Sequence, residues 1–321
     1  MTELVTYDDV VRARETIGDR LVRTPTFSSA TLGERTGGRV FLKAELFQRT
    51  GSFKPRGVLT KLAELSDEEK ARGVISISAG NHAQALAYAS ALEGIDALVV
   101  MWETASPLKV AATRGYGATV DIQVPDIPAA FERLEQLEAE TGRVLVHPYD
   151  DPLVMAGQGT VALEFLDDVP NVDVVLVPVG GGGLISGIAT AVKVRRPGAR
   201  VIGVEPELSP TLHEGLKAGK PVPVETKSAA DGLNAPHAGG DVVRVCEALG
   251  VESVLVSDDE LREAFRFLYG RAKLACEVAG AAATAALLSG KVVPEPGQTV
   301  ISVVSGGNVE PQIASAILAE R

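Results

Sequence analysis

The 321-residue chain is 45% hydrophobic, enough to bury one large core or two ordinary ones, and a compact soluble enzyme is the expectation. Its 42 acidic and 31 basic side chains leave a formal charge of -11, which repels nucleic acid and anionic membrane surfaces. No basic patch overrides that charge, because the basic residues are scattered and only 4% of the chain is aromatic, so neither nucleic acid nor a membrane is an expected partner.

The opening stretch MTELVTYDDV carries acids early and no basic region ahead of an apolar one, so it does not read as a secretory signal, and the cytoplasm is the expected location. TGSFKPRGV (Thr50–Val58) sets Pro55 near the first turn of a helix and surrounds Lys54 with Phe53 and small residues. A solvated surface lysine is one reading; the other is a partly desolvated lysine, which loses proton affinity and becomes a nucleophile toward an aldehyde. SDEE (Ser66–Glu69) is a capping box that starts a helix. VISIS (Val74–Ser78) reads as a strand that runs into the turn SAGNHAQA (Ser78–Ala85). Successive backbone N–H groups beside the Asn81 amide make that turn either a cradle for a carboxylate or an ordinary helix cap. ALVVM (Ala97–Met101) is a second strand.

VVLVPV (Val174–Val179) is a third strand, and it leads into PVGGGGLISG (Pro178–Gly187). Backbone without side chains can approach an anion there, and N–H groups and the helix dipole bind it; four consecutive glycines exceed what a tight connection needs, so a phosphate is the expected ligand. The spacing is not GxGxxG and no GKS or GKT follows, which argues against a dinucleotide site or a P-loop. Val174–Val192 is uncharged and nearly as long as a membrane span, but Pro178 and the glycines divide it into strand, turn and helix. RVIGVE (Arg200–Glu205) is a further strand, and Val224–Asp241 reads as a long irregular loop. Cys246 and Cys276 cannot build a disulfide framework and suit reduced core positions. SDDE (Ser257–Glu260) is a second capping box, and TVISVVS (Thr299–Ser305) is a strand closed by SGGN (Ser305–Asn308), where a hydroxyl could meet a ligand atom. Short β-branched runs alternating with alanine-rich helical patterns predict an α/β fold with parallel or mostly parallel sheets, helices on both faces and ligands at the carboxyl ends of the strands. His82, His147, His213 and His237 show no zinc-like spacing and read as capping or packing groups.

Taken together, ELFQRTGSFKPRG (Glu45–Gly57), SAGNHAQA, VPVGGGGLISG, GVEP (Gly203–Pro206) and SGGN, in this order, resemble fold-type II pyridoxal-phosphate enzymes, specifically the threonine/serine dehydratase and serine racemase branch. The resemblance covers almost the whole chain. It implies a tryptophan synthase β-like fold and pyridoxal 5'-phosphate as cofactor, with Lys54 as both its covalent tether and the catalytic base. The phosphate would sit on Gly180, Gly181, Gly182, Gly183 and the Leu184 backbone. Asn81 would hydrogen-bond the ring oxygen, Phe53 and Gly232 would flank the ring, and Ser305 would face the pyridine nitrogen. A hydroxyl there, unlike an aspartate, leaves that nitrogen largely unprotonated and favours elimination over transamination. The backbone of Ser78, Ala79, Gly80, Asn81 and His82 would bind the carboxylate of an amino-acid substrate. The implied reaction is dehydration and deamination of L-threonine or L-serine to 2-oxobutanoate or pyruvate plus ammonia.

Departures from the family pattern carry their own expectations. Racemases of the branch place a serine, the second base, where this chain has Ala79, so dehydration with little racemisation is expected. Some relatives bind a divalent cation through the glutamate of GVEP and an acid six residues on. Here Glu205 matches but the second position is Thr211, so a metal ion is not expected, and Glu205 stays a weak candidate for a looser or monovalent site built with carbonyls. Glu277 in CEVAGAAA matches an active-site glutamate of the family and would equally suit a helix's first turn. The resemblance also implies a small mobile domain, 72–149, inserted into a large cofactor-binding domain of residues 1–71 and 150–321, and a homodimer. With the chain ending at Arg321, the regulatory carboxy-terminal domain of biosynthetic threonine deaminases is not expected, nor is feedback by isoleucine. The alternatives are a dehydratase of another β-hydroxy amino acid such as 3-hydroxyaspartate or phenylserine, a serine racemase, a non-catalytic pyridoxal-phosphate binder, and a nicotinamide-binding oxidoreductase. The last would leave Lys54 and SGGN without a role.

Overall fold

The computed structural model describes residues 4–320, so the first three residues of the N-terminal stretch and Arg321, the end of the expected large domain, lie outside the described residues. Ten strands among these residues form two sheets. The larger sheet runs in the order β1 (Thr26–Ser28), β2 (Arg39–Ala44), β10 (Thr299–Val304), β7 (Val174–Pro178), β8 (Arg200–Pro206) and β9 (Glu252–Val256). The smaller runs β5 (Thr119–Val124), β4 (Ala97–Trp102), β3 (Val74–Ile77) and β6 (Val144–Leu145). Every pairing is parallel except the β1–β2 edge. In the first half of the chain the helices are α1 (Tyr7–Ile17), α2 (Ala30–Thr36), α3 (Pro55–Ala63), α4 (Asp67–Arg72), α5 (Asn81–Glu93), α6 (Pro107–Gly115) and α7 (Ile127–Thr141). In the second half they are α8 (Pro152–Asp168), α9 (Gly183–Arg195), α10 (Thr211–Ala218), α11 (Gly240–Ala248), α12 (Asp258–Phe267), α13 (Ala282–Leu288) and α14 (Pro311–Ala319).

The five strands expected from sequence are all present, each within one residue of its expected end. They are the buried central ones, where both faces are covered and the hydrophobic run is continuous. Alternate residues of β7 feed two apolar layers: Val175 and Val177 enter one cluster, Val174 and Leu176 the other. The strands not foreseen are edges or carry charge: β2 holds Lys43 fully buried in its run. Both expected capping boxes form, and a third joins Thr6 to Asp9. The uncharged stretch from Val174 resolves into β7, a turn and α9, and none of the helices among the described residues is long and apolar enough to cross a membrane. The expected loop is irregular from 224 to 239 apart from a 3-10 turn at Asp231–Leu233, and α11 takes its last two residues. Cys246 and Cys276 are free and buried.

Three helices set the frame for the site. A Cβ on Gly157 of α8 would collide with the Arg56 carbonyl and the Gly57 Cα of α3, and one on Gly187 of α9 would collide with the Met155 carbonyl and the Gly159 backbone of α8. The helices therefore touch backbone to backbone, which only glycine permits. At the base of α3 lies a buried charge cluster. Arg56 reaches Glu45 through Nε at 2.8 Å and Nη2 at 2.9 Å, and Glu164 through Nη1 at 2.7 Å. Lys43 Nζ donates to Glu164 at 2.6 Å and to the Thr24 carbonyl at 2.7 Å. Burial opposes the charge on Arg56, but Glu45 and Glu164 outweigh it and hold the guanidinium protonated. Removing one partner leaves uncompensated charge in the interior, so Arg56→Met should cost about 3 to 5 kcal/mol. The urea midpoint would fall accordingly; an unchanged midpoint would mean the cluster contributes nothing.

Candidate active site

Lys54 occupies the last position before α3, with Pro55 opening the helix. The loop ahead of it turns at Thr50 and Gly51, both at positive φ (61° and 75°), and is sewn to the loop after β10. Phe53 N donates to the Ser305 carbonyl at 3.2 Å, Gly307 N donates to the Gly51 carbonyl at 2.9 Å, and Ser52 forms a bridge with Gly306. The half-buried Lys54 donates from Nζ to the Pro148 carbonyl at 2.7 Å, and Nζ stands 5.3 Å from the centre of the Phe53 ring. Burial lowers its proton affinity to a pKa of about 8, against the opposing pull of Glu277. This is the desolvated lysine of the two sequence readings.

The glycine turn leaves β7 and enters α9, with Gly182 at φ +93° as the cap. A Cβ on Gly181 would lie inside the Tyr149 ring, and one on Gly183 would stand 2.8 Å from the Tyr149 carbonyl. The turn is thus a cradle of bare backbone at the positive end of a 13-residue helix. Tyr149 belongs to the run His147-Pro148-Tyr149-Asp150, of which the sequence marked only His147, as a capping or packing group. His147 Nδ1 accepts from Asp150 N at 2.8 Å, while the Asp150 carboxylate accepts from Gly240 N at 2.8 Å and Asp241 N at 3.1 Å at the start of α11. One short segment thereby touches both Lys54 and the glycine turn. Its only sequence signal was a proline flanked by rings after the weak strand β6.

The third turn, after β3, starts α5 at Asn81, and Gly80 N donates to Ser78 Oγ at 3.1 Å. Asn81 Nδ2 donates to Glu277 Oε1 at 2.7 Å. Asn308 Nδ2 donates to Asn81 Oδ1 at 2.8 Å and to the Thr50 carbonyl at 2.7 Å. Glu277 does not stand in a helix's first turn; it precedes the 3-10 turn Ala279–Ala281, and burial, with Asp231 adding to it, pushes its carboxyl up to about 8. Gly232 lies beside it: a Cβ there would stand 3.7 Å from Glu277 Oε1, and one on Gly180 would stand 3.3 Å from the Gly232 carbonyl. His82 is buried, its Nε2 3.0 Å from both Ser76 Oγ and the Val146 carbonyl, and burial lowers its pKa to about 3. Ala79 packs against the apolar cluster of the smaller sheet, and Ser305 is buried at the end of β10. Every residue singled out around the lysine, glycine, asparagine and serine turns therefore belongs to one contiguous set.

Glu205 lies apart from this set, buried in β8 behind the glycine turn, and burial pushes its carboxyl up to about 7. The histidines cap and pack: His147 closes a turn, and His213 Nδ1 stands 3.3 Å from Ser253 Oγ. Among the described residues no group of three His, Cys, Asp or Glu is gathered to hold a metal ion. The residues do fit pyridoxal phosphate. The glycine cradle suits a phosphate and Lys54 Nζ an aldehyde, while Thr50 Oγ1, Ser52 Oγ and His82 Nδ1 are buried with no hydrogen-bond partner among the described residues.

The family of pyridoxal-phosphate dependent enzymes matches residues 17–306. The chain is 44% identical over 319 residues to the catabolic L-threonine dehydratase TdcB of Staphylococcus aureus (strain N315), covering 98% of this chain and 92% of that protein. It is 41% identical over 316 residues to the L-threonine ammonia-lyase of Thermotoga maritima, covering 98% and 78%. Among solved structures, maize serine racemase superposes with a TM-score of 0.92 at 34% identity over 98% of this chain and 97% of that one. A T.th. threonine deaminase does so at 0.89 and 40% over 95% and 99%. The chain belongs to the pyridoxal-phosphate dependent enzymes, with the fold-type II architecture.

The raised carboxyl of Glu277 makes stability depend on pH. The folded chain keeps this proton up to a pH of about 8, whereas an ordinary glutamate releases it near 4.5, so folding takes up a proton between those values. The stabilisation is complete below the lower value and is lost as pH rises toward the upper one. In urea titrations of the cofactor-free protein, stability of the parent should fall more steeply between these limits than that of Glu277→Gln. Equal slopes would refute the assignment.

Proposed function

We propose that this pyridoxal-phosphate dependent enzyme is an ammonia-lyase that dehydrates and deaminates L-threonine and L-serine, releasing 2-oxobutanoate or pyruvate and ammonia. The observation that carries the proposal is Lys54, a half-buried amine of lowered proton affinity that shares the His147–Asp150 segment with a side-chain-free anion cradle. The dehydratase and ammonia-lyase relatives, at 41% to 44% identity over nearly the whole chain, supply the reaction class.

When bound, pyridoxal phosphate supplies an electron sink that acidifies the substrate's α-carbon and lets the β-hydroxyl depart. Lys54 Nζ would hold the cofactor's aldehyde and, once the substrate amine has displaced it, would take the α-proton; a pKa near 8 leaves it able to accept that proton close to neutral pH. Gly180 to Gly183 and the Leu184 N–H anchor the phosphate through backbone donors and the α9 dipole. The Ser78–His82 turn would receive the substrate carboxylate at the start of α5, and Asn81 and Glu277, which hold each other, would stand beside the cofactor ring. Phe53 and Gly232 would flank that ring. Ser305 would offer the ring nitrogen a hydroxyl and no charge, which would keep the sink weak and favour elimination.

In this reading 72–149 moves as a small domain against 1–71 and 150–321, closing over the substrate to exclude water. Supporting it, 72–149 meets the second half of the chain through exchangeable polar contacts, Asn81 with Glu277 and Asn308, Ser106 Oγ with Glu310 Oε1 at 2.5 Å, and Lys109 with Asp231, while its apolar cluster joins it to Val58, Leu59 and Leu62 of α3. The same reading takes the enzyme to be a cytoplasmic homodimer with no nucleic-acid or membrane partner.

A keto-acid assay over threonine, serine, 3-hydroxyaspartate and phenylserine should give release from the first two. Lys54→Ala should lose both that activity, by at least about a thousandfold, and the visible absorption band of lysine-bound cofactor. Retention of either would sink the assignment. With Ala79 offering no proton on the face opposite Lys54, D-serine formation from L-serine should lag keto-acid release by about a hundredfold or more, and Ala79→Ser should narrow the gap. Comparable rates in the parent would instead make it a racemase.

A further inference from the structure

Behind the glycine turn, the carboxylate of Glu205 meets the start of α10. Its Oε1 accepts from Leu212 N at 2.6 Å, and its Oε2 accepts from His213 N at 2.9 Å and from Ser253 Oγ at 2.8 Å. The cap position, Pro210, has no side-chain cap of its own, so Glu205 supplies from the neighbouring strand the acceptor that the first turn of α10 needs. This fixes Thr211, the first residue of α10 and fully buried, with its Oγ1 at 2.5 Å from the Gly180 carbonyl and 3.2 Å from Glu205 Oε1. A hydroxyl has one proton, and the shorter contact assigns it to Gly180. On its other side Gly180 is confined by the Gly232–Leu233 backbone, and Ser209 Oγ donates to the Leu233 carbonyl at 3.0 Å. The turn between β8 and α10 thus grips the first residue of the glycine cradle directly, through Thr211, and grips its neighbour through Ser209.

The same geometry is unsuited to a cation. A divalent ion on Glu205 needs carboxylate lone pairs, but three of the roughly four that a carboxylate offers already accept from two backbone N–H groups and a serine hydroxyl. The position six residues beyond Glu205 contributes a neutral hydroxyl that is already committed to Gly180.

We propose that Thr211, backed by Glu205, is a positioning residue for the phosphate cradle: it pins the Gly180 carbonyl, sets the orientation of the peptide that follows, and makes cofactor affinity independent of a divalent cation. The inference rests on reading Gly180–Gly183 as the phosphate site. Without the hydroxyl, the half-buried Gly180 carbonyl loses the donor that holds it, and the peptide between Gly180 and Gly181 is free to turn its N–H away from the phosphate.

The test compares the affinity of the cofactor-stripped full-length protein for pyridoxal 5'-phosphate with its affinity for pyridoxal, which lacks the phosphate, by recovery of the visible band and by equilibrium dialysis. Thr211→Val should raise the Kd for pyridoxal phosphate about tenfold, the loss of about one hydrogen bond, and leave that for pyridoxal unchanged. Thr211→Ser should restore binding to within about twofold of the parent. Glu205→Gln, should Thr211→Val not fold, should weaken the phosphate form selectively as well. Magnesium, calcium or EDTA should shift neither the parent's Kd nor its Tm. The strut is refuted if Thr211→Val binds pyridoxal phosphate like the parent, if it weakens both ligands equally, or if a cation tightens binding. A parent that takes up no pyridoxal phosphate would overturn the cofactor reading itself, a result distinct from a failure of the strut.

Discussion

The backbone contact of α3, α8 and α9 is the constraint on which the site depends. Gly57 and Gly157 let the lysine helix lie against α8, and Gly159 and Gly187 let the glycine-turn helix lie against its other side. Lys54 and the anion cradle are then the amino-terminal ends of two helices whose separation is set by main chain, which has no rotamers to adjust. The buried cluster of Arg56, Glu45, Glu164 and Lys43 works on the same joint from below. Arg56 sits two residues after Lys54 and ties the first turn of α3 to α8 through Glu164. Buried ion pairs gain little net stability over apolar packing, but their directional hydrogen bonds tolerate only one arrangement of the joined helices.

Burial acts in opposite directions on the two ionisable groups nearest the reacting centre. It lowers Lys54 toward the neutral amine and raises Glu277 toward the protonated acid, each to about 8. Both therefore approach neutrality under the conditions in which the lysine must act as nucleophile and base. His82 is held neutral by the same desolvation, with Lys54 adding to it, so no fixed positive charge from that ring competes with the amine.

The expected fold was legible where burial on both faces leaves a continuous β-branched run, as in Val74–Ile77 and Val174–Pro178. It was not legible in β2, because Lys43 interrupts that run and becomes compatible with the interior only through Glu164 and the Thr24 carbonyl, 121 and 19 residues away in the chain. The site followed the same rule. Lys54, Asn81, Ser305 and Gly180–Gly183 lie in short turns whose residue types are unusual in themselves. Tyr149 and Pro148 are ordinary residues whose relevance comes from what they touch.

The sequence by itself determined the α/β class, the order of the turns and the chemistry each turn can offer, because strand, cap and glycine-turn signals are local and need only a few adjacent residues. Tertiary structure alone decided that Lys54 is desolvated, that Glu277 faces Asn81 instead of opening a helix, and that Glu205 caps α10 with Thr211 against the cradle. Each of those outcomes depends on the dielectric surroundings and on partners brought together from distant segments, quantities that no local pattern of residues encodes.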